Sequence, residues 1–277
     1  MLRTISDTLG EDGLVARSAA AAAKATEATE PAAQAPEAPT GPLGELASPQ
    51  AGSLGDAAIL AIPLGATEQH GPHLPLSTDT DIAERLCRRL AAERPGVLVA
   101  PALPYGASDE HAGFPGTLSI GQEALELVVL QLARSAAATA PRVLLVNGHG
   151  GNAEPLHRAV ARLRAEGLDV RAHSPRWDGD AHAGHVETSL QLALDPDRVR
   201  MEHATAGNGR PLAELMPLLR AGGVRAVDAT GVLGDPTTAA AEDGHALWRT
   251  LESALAAAVE AWWPARPATA APAGEPA

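Results

Sequence analysis

The chain has 277 residues, of which 45% are hydrophobic and only 2% aromatic, and it carries a formal net charge of -13. That length supports one large core or two modest ones, built mainly from Ala, Leu and Val. The negative charge argues against nucleic acid as a partner, because phosphates require a basic surface. The single cysteine, Cys87, excludes an intramolecular disulfide and a cysteine-based zinc module, so any metal must be held by histidines and carboxylates.

The two ends of the chain differ in composition from its middle. Residues 1–55 are rich in Ala, Pro, Glu and Thr, and residues 264–277 are similar. Such segments bury too little apolar surface to offset chain entropy, so both are predicted to be disordered and one domain is expected from 56 to 263. No apolar run reaches the roughly 18 residues of a membrane helix, and no signal-like segment is visible. We therefore expect no membrane partner and a cytoplasmic location.

Strand-like and helix-like patterns alternate through the expected domain. Short apolar runs predict strands at 57–63, 97–101, 142–146 and 168–172. Helical periodicity predicts helices at 81–93, 122–138, 153–166, 188–193 and 239–262. This order predicts an α/β fold with a mostly parallel central sheet and helices on both faces. Ligands should then bind at the C-terminal ends of the strands.

The first predicted strand leads into a loop with four candidate metal ligands. Glu68, His70, His73 and Asp79 fall within twelve positions. Oxygen and imidazole donors at the end of a strand suit a hard or borderline divalent metal. A polar surface loop is the simpler alternative, but such a loop has no use for a Glu-x-His pair closely followed by a second acid. The sequence therefore predicts a metal site here.

Two later strand ends carry similar groups. His149 lies among glycines in the loop 147–152, where a phosphate cradle is the alternative. The spacing of the glycine-rich nucleotide motifs is missing, so metal is favoured. After the fourth strand, residues 180–189 contain His182, His185 and Glu187. The alternatives are that Glu187 is an acid favoured at a helix N-terminus and that both histidines are surface residues.

The loop 105–117 contains the only Tyr and the only Phe of the chain. A loop of this length in a compact pattern predicts a segment that lines the substrate site. The candidate substrate-binding residues are Ser108, Glu110, His111 and Phe114. The alternative is a solvated loop around one buried Phe114.

The candidate ligands exceed what one catalytic zinc ion takes, three protein ligands and a water. Glu68, His70, Asp79, His149 and Glu187 instead fit two divalent ions bridged by one carboxylate, for which we choose Asp79. Zinc, iron and manganese are all compatible with these ligand types. His182 could carry a proton to a leaving nitrogen, so the predicted reaction is amide hydrolysis. No Gly-x-Ser-x-Gly motif points to a serine nucleophile.

Four blocks resemble the creatininase family of metal-dependent amidohydrolases: 68–75 with Asp79, 114–117, 147–152 and 187–189. The resemblance implies a three-layer α/β/α fold, a dinuclear centre and a homo-oligomer. It further implies that one metal takes Glu68, Asp79 and His149, and the other His70, Asp79 and Glu187. Creatininase has glutamates where this chain has Gly151 and Ala181, so creatinine is not the expected substrate.

Further blocks at 182–189, 206–208, 222–224 and 230–238 are similar to peptidases of this family that process a modified precursor peptide of a redox cofactor. This resemblance implies release of a C-terminal Val-Tyr dipeptide core from the modified precursor peptide. Within enzymes, the alternative is a creatininase-like amidohydrolase acting on a small cyclic amide or formamide. Outside enzymes, it is a non-catalytic scaffold that retains the fold and binds little metal.

Overall fold

The structure is a computed structural model that describes residues 40–264. Five parallel strands form one sheet in the order β1-β3-β2-β4-β5. The strands are β1 (Gly41–Pro42), β2 (Ile59–Leu64), β3 (Val97–Val99), β4 (Arg142–Asn147) and β5 (Asp169–His173). The helices are α1 (Ser48–Ala51), α2 (Thr78–Glu93), α3 (Gly121–Ala136), α4 (Ala153–Ala165), α5 (His185–Leu194), α6 (Leu212–Gly222) and α7 (Ala241–Trp262). Within residues 40–264, no helix is both long and apolar enough to cross a membrane.

The two central strands supply side chains to a separate core on each face of the sheet. Ile59 and Ala61 of β2 pack with buried residues of α2, α5 and α7. Leu60 and Ile62, which alternate with them, pack with buried residues of α3 and α4. The side chains of β4 divide in the same way. Because a strand points successive side chains to opposite faces, both faces must be covered, and the predicted three-layer α/β/α fold is confirmed.

The predicted strands and helices are all present, with ends that differ by a few residues. Helix α6 is the main element that the sequence did not predict. Pro217 lies inside it, and proline ordinarily interrupts a helical pattern because it lacks an N–H and fixes φ. Strand β1 was also not predicted, since two residues are too few to show a periodicity.

The start of the domain differs from the prediction. Most of the predicted disordered segment 1–55 lies outside the described residues, but its last part packs against the domain. Strand β1 pairs with β3, Thr40 donates a hydrogen bond to the Ala91 carbonyl at 2.9 Å, and Leu54 is buried. The domain therefore begins before residue 56. Apart from Pro264, the predicted C-terminal tail lies outside the described residues.

Helix α7 packs tightly against α5, the helix that begins at His185. Trp248 donates its indole N–H to the carbonyl of Leu190 at 3.0 Å. At Gly244 the helices approach so closely that a Cβ atom would collide with the carbonyl of Ser189. This contact fixes α5, and with it Glu187, in the helical layer that α5 forms with α2 and α7.

We expect Gly244→Ala to lower the free energy of unfolding by roughly 1–3 kcal/mol, because the added methyl group forces the two helices apart. Urea unfolding followed by circular dichroism measures this. Gly44→Ala is the matched control, since nothing lies within 4 Å of its added Cβ, and should stay within about 0.5 kcal/mol of wild type. A Gly244→Ala variant as stable as wild type would contradict the tight packing of α5 on α7.

Candidate metal centre and active site

The five predicted metal ligands come from three places at the C-terminal edge of the sheet. Glu68 and His70 lie in the loop after β2, and that loop leads into α2, whose first turn carries Asp79. His149 follows β4, and Glu187 lies in the first turn of α5. All five side chains are buried. Because β2 and β4 are adjacent and parallel, the loops after them emerge side by side.

These side chains form two groups that share Asp79. Ligand atoms of Glu68, Asp79 and His149 lie within 4.8 Å of one another. The same holds for His70, Asp79 and Glu187. Asp79 faces the two histidines with different oxygens: its Oδ1 lies 3.1 Å from His70 Nε2, and its Oδ2 lies 3.2 Å from His149 Nδ1. This is the arrangement that a carboxylate bridging two ions needs.

A third group of this kind combines Glu68, His70 and His182. His182 is buried, and its ring centroid lies 4.3 Å from that of His70. The predicted proton carrier therefore lies beside the candidate ligands and is itself placed where it could bind metal.

Each of these histidines is oriented by a main-chain carbonyl. His70 Nδ1 lies 3.2 Å from the carbonyl of Glu68, His149 Nε2 lies 3.1 Å from that of Ala107, and His182 Nε2 lies 2.9 Å from that of Gln69. A carbonyl only accepts, so the ring nitrogen facing it must carry the hydrogen. The other nitrogen of each neutral ring is left with a lone pair that faces the carboxylates. This is the usual surrounding of a metal-binding histidine.

Buried carboxylate oxygens at the centre of the cluster lack hydrogen-bond partners. Both oxygens of Glu68 and Oδ2 of Asp79 are in this state among the described residues. An ionised carboxylate buried without compensation is strongly destabilising, whereas a bound cation satisfies it. The donors present therefore fit divalent metal ions.

The electrostatics of the metal-free cluster point the same way. Burial opposes a charge on His70 and on His149, yet neighbouring carboxylates raise the pKa of each ring to about 10. Burial, assisted by Asp79, raises the pKa of Glu68 to about 8, and burial raises the pKa of Glu187 to about 7. Without metal, the cluster thus retains protons to balance its negative charge.

Glu187 combines a structural role with its place in the cluster. Its Oε2 accepts a hydrogen bond from the main-chain N–H of Ala183 at 2.6 Å, as expected of an acid at a helix N-terminus. The same oxygen lies 3.9 Å from His70 Nε2. Glu187 therefore makes the contact expected of an acid at a helix N-terminus and also lies beside the candidate ligand His70. His185 differs, since it pairs with Thr238 and Asp243 away from the cluster.

His73 lies outside the ligand groups and joins the first loop to α5. Its Nε2 lies 2.8 Å from the hydroxyl oxygen of Thr188, the neighbour of Glu187 in the chain. Burial and the adjacent charge of His70 lower the pKa of His73 to about 4, so the ring is neutral. Its contact helps to set the position of α5 relative to the loop.

Three of the four predicted substrate-binding residues reach the cluster. His111 Nε2 lies 3.3 Å from Glu68 Oε1, while Ser108 Oγ and Glu110 Oε1 lie 3.4 Å and 3.5 Å from His149 Nε2. The Glu110 side chain is 35% exposed and so stands at the open side of the site.

Phe114 lies elsewhere. It packs against Leu215, Val224 and Leu233, and the guanidinium of Arg225 lies 5.6 Å from its ring. Arg225 also donates to the carbonyl of Gly113 at 2.6 Å. These contacts hold the loop that carries Glu110 and His111 in place, and a direct contact of Phe114 with substrate stays a prediction.

Gln69 is the main residue of the site that the sequence analysis did not single out. Its side-chain amide lies between His111 and His182 and is buried. Its position between Glu68 and His70 was the only available signal.

Comparison with known proteins identifies the family of this chain. The family model Creatininase, described as creatinine amidohydrolase, matches residues 44–259. The chain belongs to the creatininase family. It is 50% identical over 214 residues to a protein of Mycobacterium ulcerans named mycofactocin precursor peptide peptidase, covering 74% of this chain and 86% of that protein.

Two solved creatininase structures have the same fold. One, described as a manganese creatininase, superposes with a TM-score of 0.68 at 29% identity and covers 81% of this chain and 99% of its own. The other, a zinc–zinc form of a glutamate-to-glutamine variant, has a TM-score of 0.67 at 29% identity and covers 81% and 98%. This chain is therefore a member of a hydrolase family, and its buried acid and histidine groups are suited to metal.

The raised pKa values predict how the stability of the metal-free protein depends on pH. Folded His70 and His149 keep a proton up to about pH 10, whereas the unfolded chain releases it near 6.5. Because the folded state then binds more protons, its free energy of unfolding should fall as the pH rises from about 7 to 10. Urea unfolding of chelator-treated protein across this range measures the slope.

Replacing the exposed His203 by Asn should leave this slope unchanged, whereas His149→Asn should reduce it. Metal-loaded protein should show a weaker dependence, because bound metal takes the place of the protons. A constant or rising stability between pH 7 and 10 in the metal-free protein would refute the assignment.

Proposed function

We propose that this chain is a metal-dependent peptidase of mycofactocin biosynthesis that releases the C-terminal Val-Tyr dipeptide core from the modified precursor peptide. The supporting observation is the buried acid and histidine cluster, in a chain half identical to a protein named for that activity. Homo-oligomeric assembly and a cytoplasmic location remain predictions.

The proposed centre holds two divalent ions, with zinc, iron and manganese as the candidates. Glu68, Asp79 and His149 would hold one, and His70, Asp79 and Glu187 the other. Such ions polarise an amide carbonyl and lower the pKa of water when bound. The residues of the chain fix the ligand nitrogens through main-chain carbonyls and exclude solvent from the buried side of the site.

His182 is the proposed proton carrier. Its Nε2 donates to the carbonyl of Gln69, so Nδ1 presents a lone pair 3.9 Å from Glu68 Oε1. Burial and the charge of His70 hold the pKa of His182 well below its ordinary value, so the ring is neutral at rest. A neutral ring with its lone pair facing the centre can accept a proton there and pass it to the leaving nitrogen.

The surroundings of Gly151 favour a peptide over creatinine as the substrate. Creatininase has a glutamate at this position, whereas in this chain a Cβ atom on Gly151 would collide with the carboxylate of Glu110 and the carbonyl of Ala107. An acid from a different loop therefore occupies that space here. Since Glu110 is partly exposed, it can contact a substrate that extends out of the site, as a peptide does.

The proposal is tested by incubating metal-loaded full-length protein with the precursor peptide after modification by its radical enzyme. Mass spectrometry should detect the released dipeptide core. Asp79→Asn should lower the metal content and abolish release while the fold is retained. The matched control Asp81→Asn, whose carboxylate pairs with Arg198 and Ser77, should keep both. Turnover of a small cyclic amide or formamide, with no release from the peptide, would favour the alternative amidohydrolase.

The role of His182 is tested by replacing it with Gln. If it carries a proton, kcat should fall by about 10²–10⁴-fold while the metal content stays unchanged. Elemental analysis of the purified variant decides the point, because loss of metal would show that His182 is a ligand, as its group with Glu68 and His70 allows. The matched control is His185→Gln, because His185 lies close to His182 in the chain but pairs with Thr238 away from the cluster.

A further inference from the structure

The side-chain amide of Gln69 has an orientation fixed by two main-chain groups. Its Oε1 accepts a hydrogen bond from the N–H of Gly71 at 2.8 Å, and its Nε2 donates to the carbonyl of Gly231 at 3.2 Å. The first partner can only donate and the second can only accept. The amide therefore cannot be turned over without losing both bonds.

This fixed amide determines which nitrogen of His111 carries hydrogen. Gln69 Nε2 lies 2.9 Å from His111 Nδ1. An amide nitrogen only donates, so Nδ1 must accept with its lone pair, and the hydrogen of the neutral ring must be on Nε2. That nitrogen is the one that lies 3.3 Å from Glu68 Oε1.

We propose that Gln69 is a positioning residue that holds His111 in the Nε2–H tautomer, so that His111 directs an N–H at the Glu68 carboxylate. This inference rests on the proposed function only in treating Glu68 as a metal ligand. A hydrogen-bond donor beside a ligating carboxylate orients it and limits its rotation. Both oxygens of Glu68 are buried without hydrogen-bond partners among the described residues, so an N–H directed at Oε1 from 3.3 Å bears directly on the orientation of this carboxylate.

The neighbouring His182 provides a comparison within the same site. Its ring centroid lies 4.5 Å from that of His111, and its Nε2 lies 2.9 Å from the main-chain carbonyl of Gln69 and 3.2 Å from the Gln69 side-chain nitrogen. The carbonyl is nearer and only accepts, so His182 Nε2 carries the hydrogen, and the two amide hydrogens of Gln69 are directed at Gly231 and His111 instead. Gln69 thus holds the two histidine rings with opposite groups facing the centre. His111 presents an N–H to the centre, and His182 presents a lone pair.

The tautomer can be measured without substrate by nitrogen–proton correlation spectroscopy on full-length, zinc-loaded protein labelled at histidine nitrogens. His111→Asn assigns the signals. In the wild type, His111 Nδ1 should be unprotonated and Nε2 protonated. In Gln69→Met the amide donor is lost, so both neutral tautomers of His111 should appear, while His182 keeps its wild-type pattern. A protonated Nδ1 in the wild type, or an unchanged His111 pattern in Gln69→Met, would overturn the proposal.

Zinc affinity gives the second measurement. Gln69→Met removes the amide at similar volume and should weaken zinc binding by about 10–100-fold. Thr117→Val is the matched control, because it removes the 3.1 Å hydrogen bond to the Gln69 main-chain N–H and leaves the side-chain amide intact. Unchanged affinity in Gln69→Met, or an equal loss in Thr117→Val, would overturn the role in positioning Glu68.

The two measurements remain informative if a variant fails to fold, since the wild-type spectrum alone can refute the tautomer. They also separate this inference from the proposed function. Failure to release a dipeptide from the precursor would leave the His111 tautomer and the zinc affinities unaffected.

Discussion

The need to neutralise buried carboxylates is the constraint on which the site depends. Glu68, Asp79 and Glu187 are removed from water and lie within a few Å of the same histidines. Three carboxylates cannot remain ionised in such a place without positive charge beside them. Protons on His70 and His149 provide it in the metal-free protein, and divalent ions provide it more fully. The same groups therefore explain both the raised pKa values and the suitability for metal.

The fold brings these groups together by close backbone contact. Strands β2 and β4 lie side by side, so their C-terminal loops meet, and the first turn of α2 packs against both loops, at Gly65 and at Gly148. At Gly148 a Cβ atom would collide with the main chain of Asp79. The absence of a side chain there lets the loop with His149 approach Asp79. On the other side, the packing of α7 on α5 holds Glu187. The site is thus supported by the sheet and by α2, α5 and α7, the three helices that pack on one face of it.

The sequence predicted the parts of the molecule whose signal is local. The apolar runs of β2 and β4 and the acid and histidine clusters after them could be read directly, because a buried parallel strand is apolar throughout and its end faces the ligand. Helix α6 was missed because Pro217 disrupts the local pattern. The early start of the domain was missed because β1 gains its structure only by pairing with β3. The orientation of the Gln69 amide could not be predicted from the sequence, because it depends on a hydrogen bond to Gly231, which is remote in the chain.

The histidines of the centre differ in how firmly their tautomers are fixed. For His70, His149 and His182, a main-chain carbonyl determines which ring nitrogen carries the hydrogen. A side-chain substitution cannot remove such a carbonyl as long as the backbone conformation is unchanged. His111 alone among them depends on a side chain, that of Gln69. A change at residue 69 can therefore alter the hydrogen presented to Glu68 while the other three rings keep their orientation. The positions of the candidate ligands are thus set by the fold, and the Gln69–His111 pair is where side-chain chemistry can adjust them.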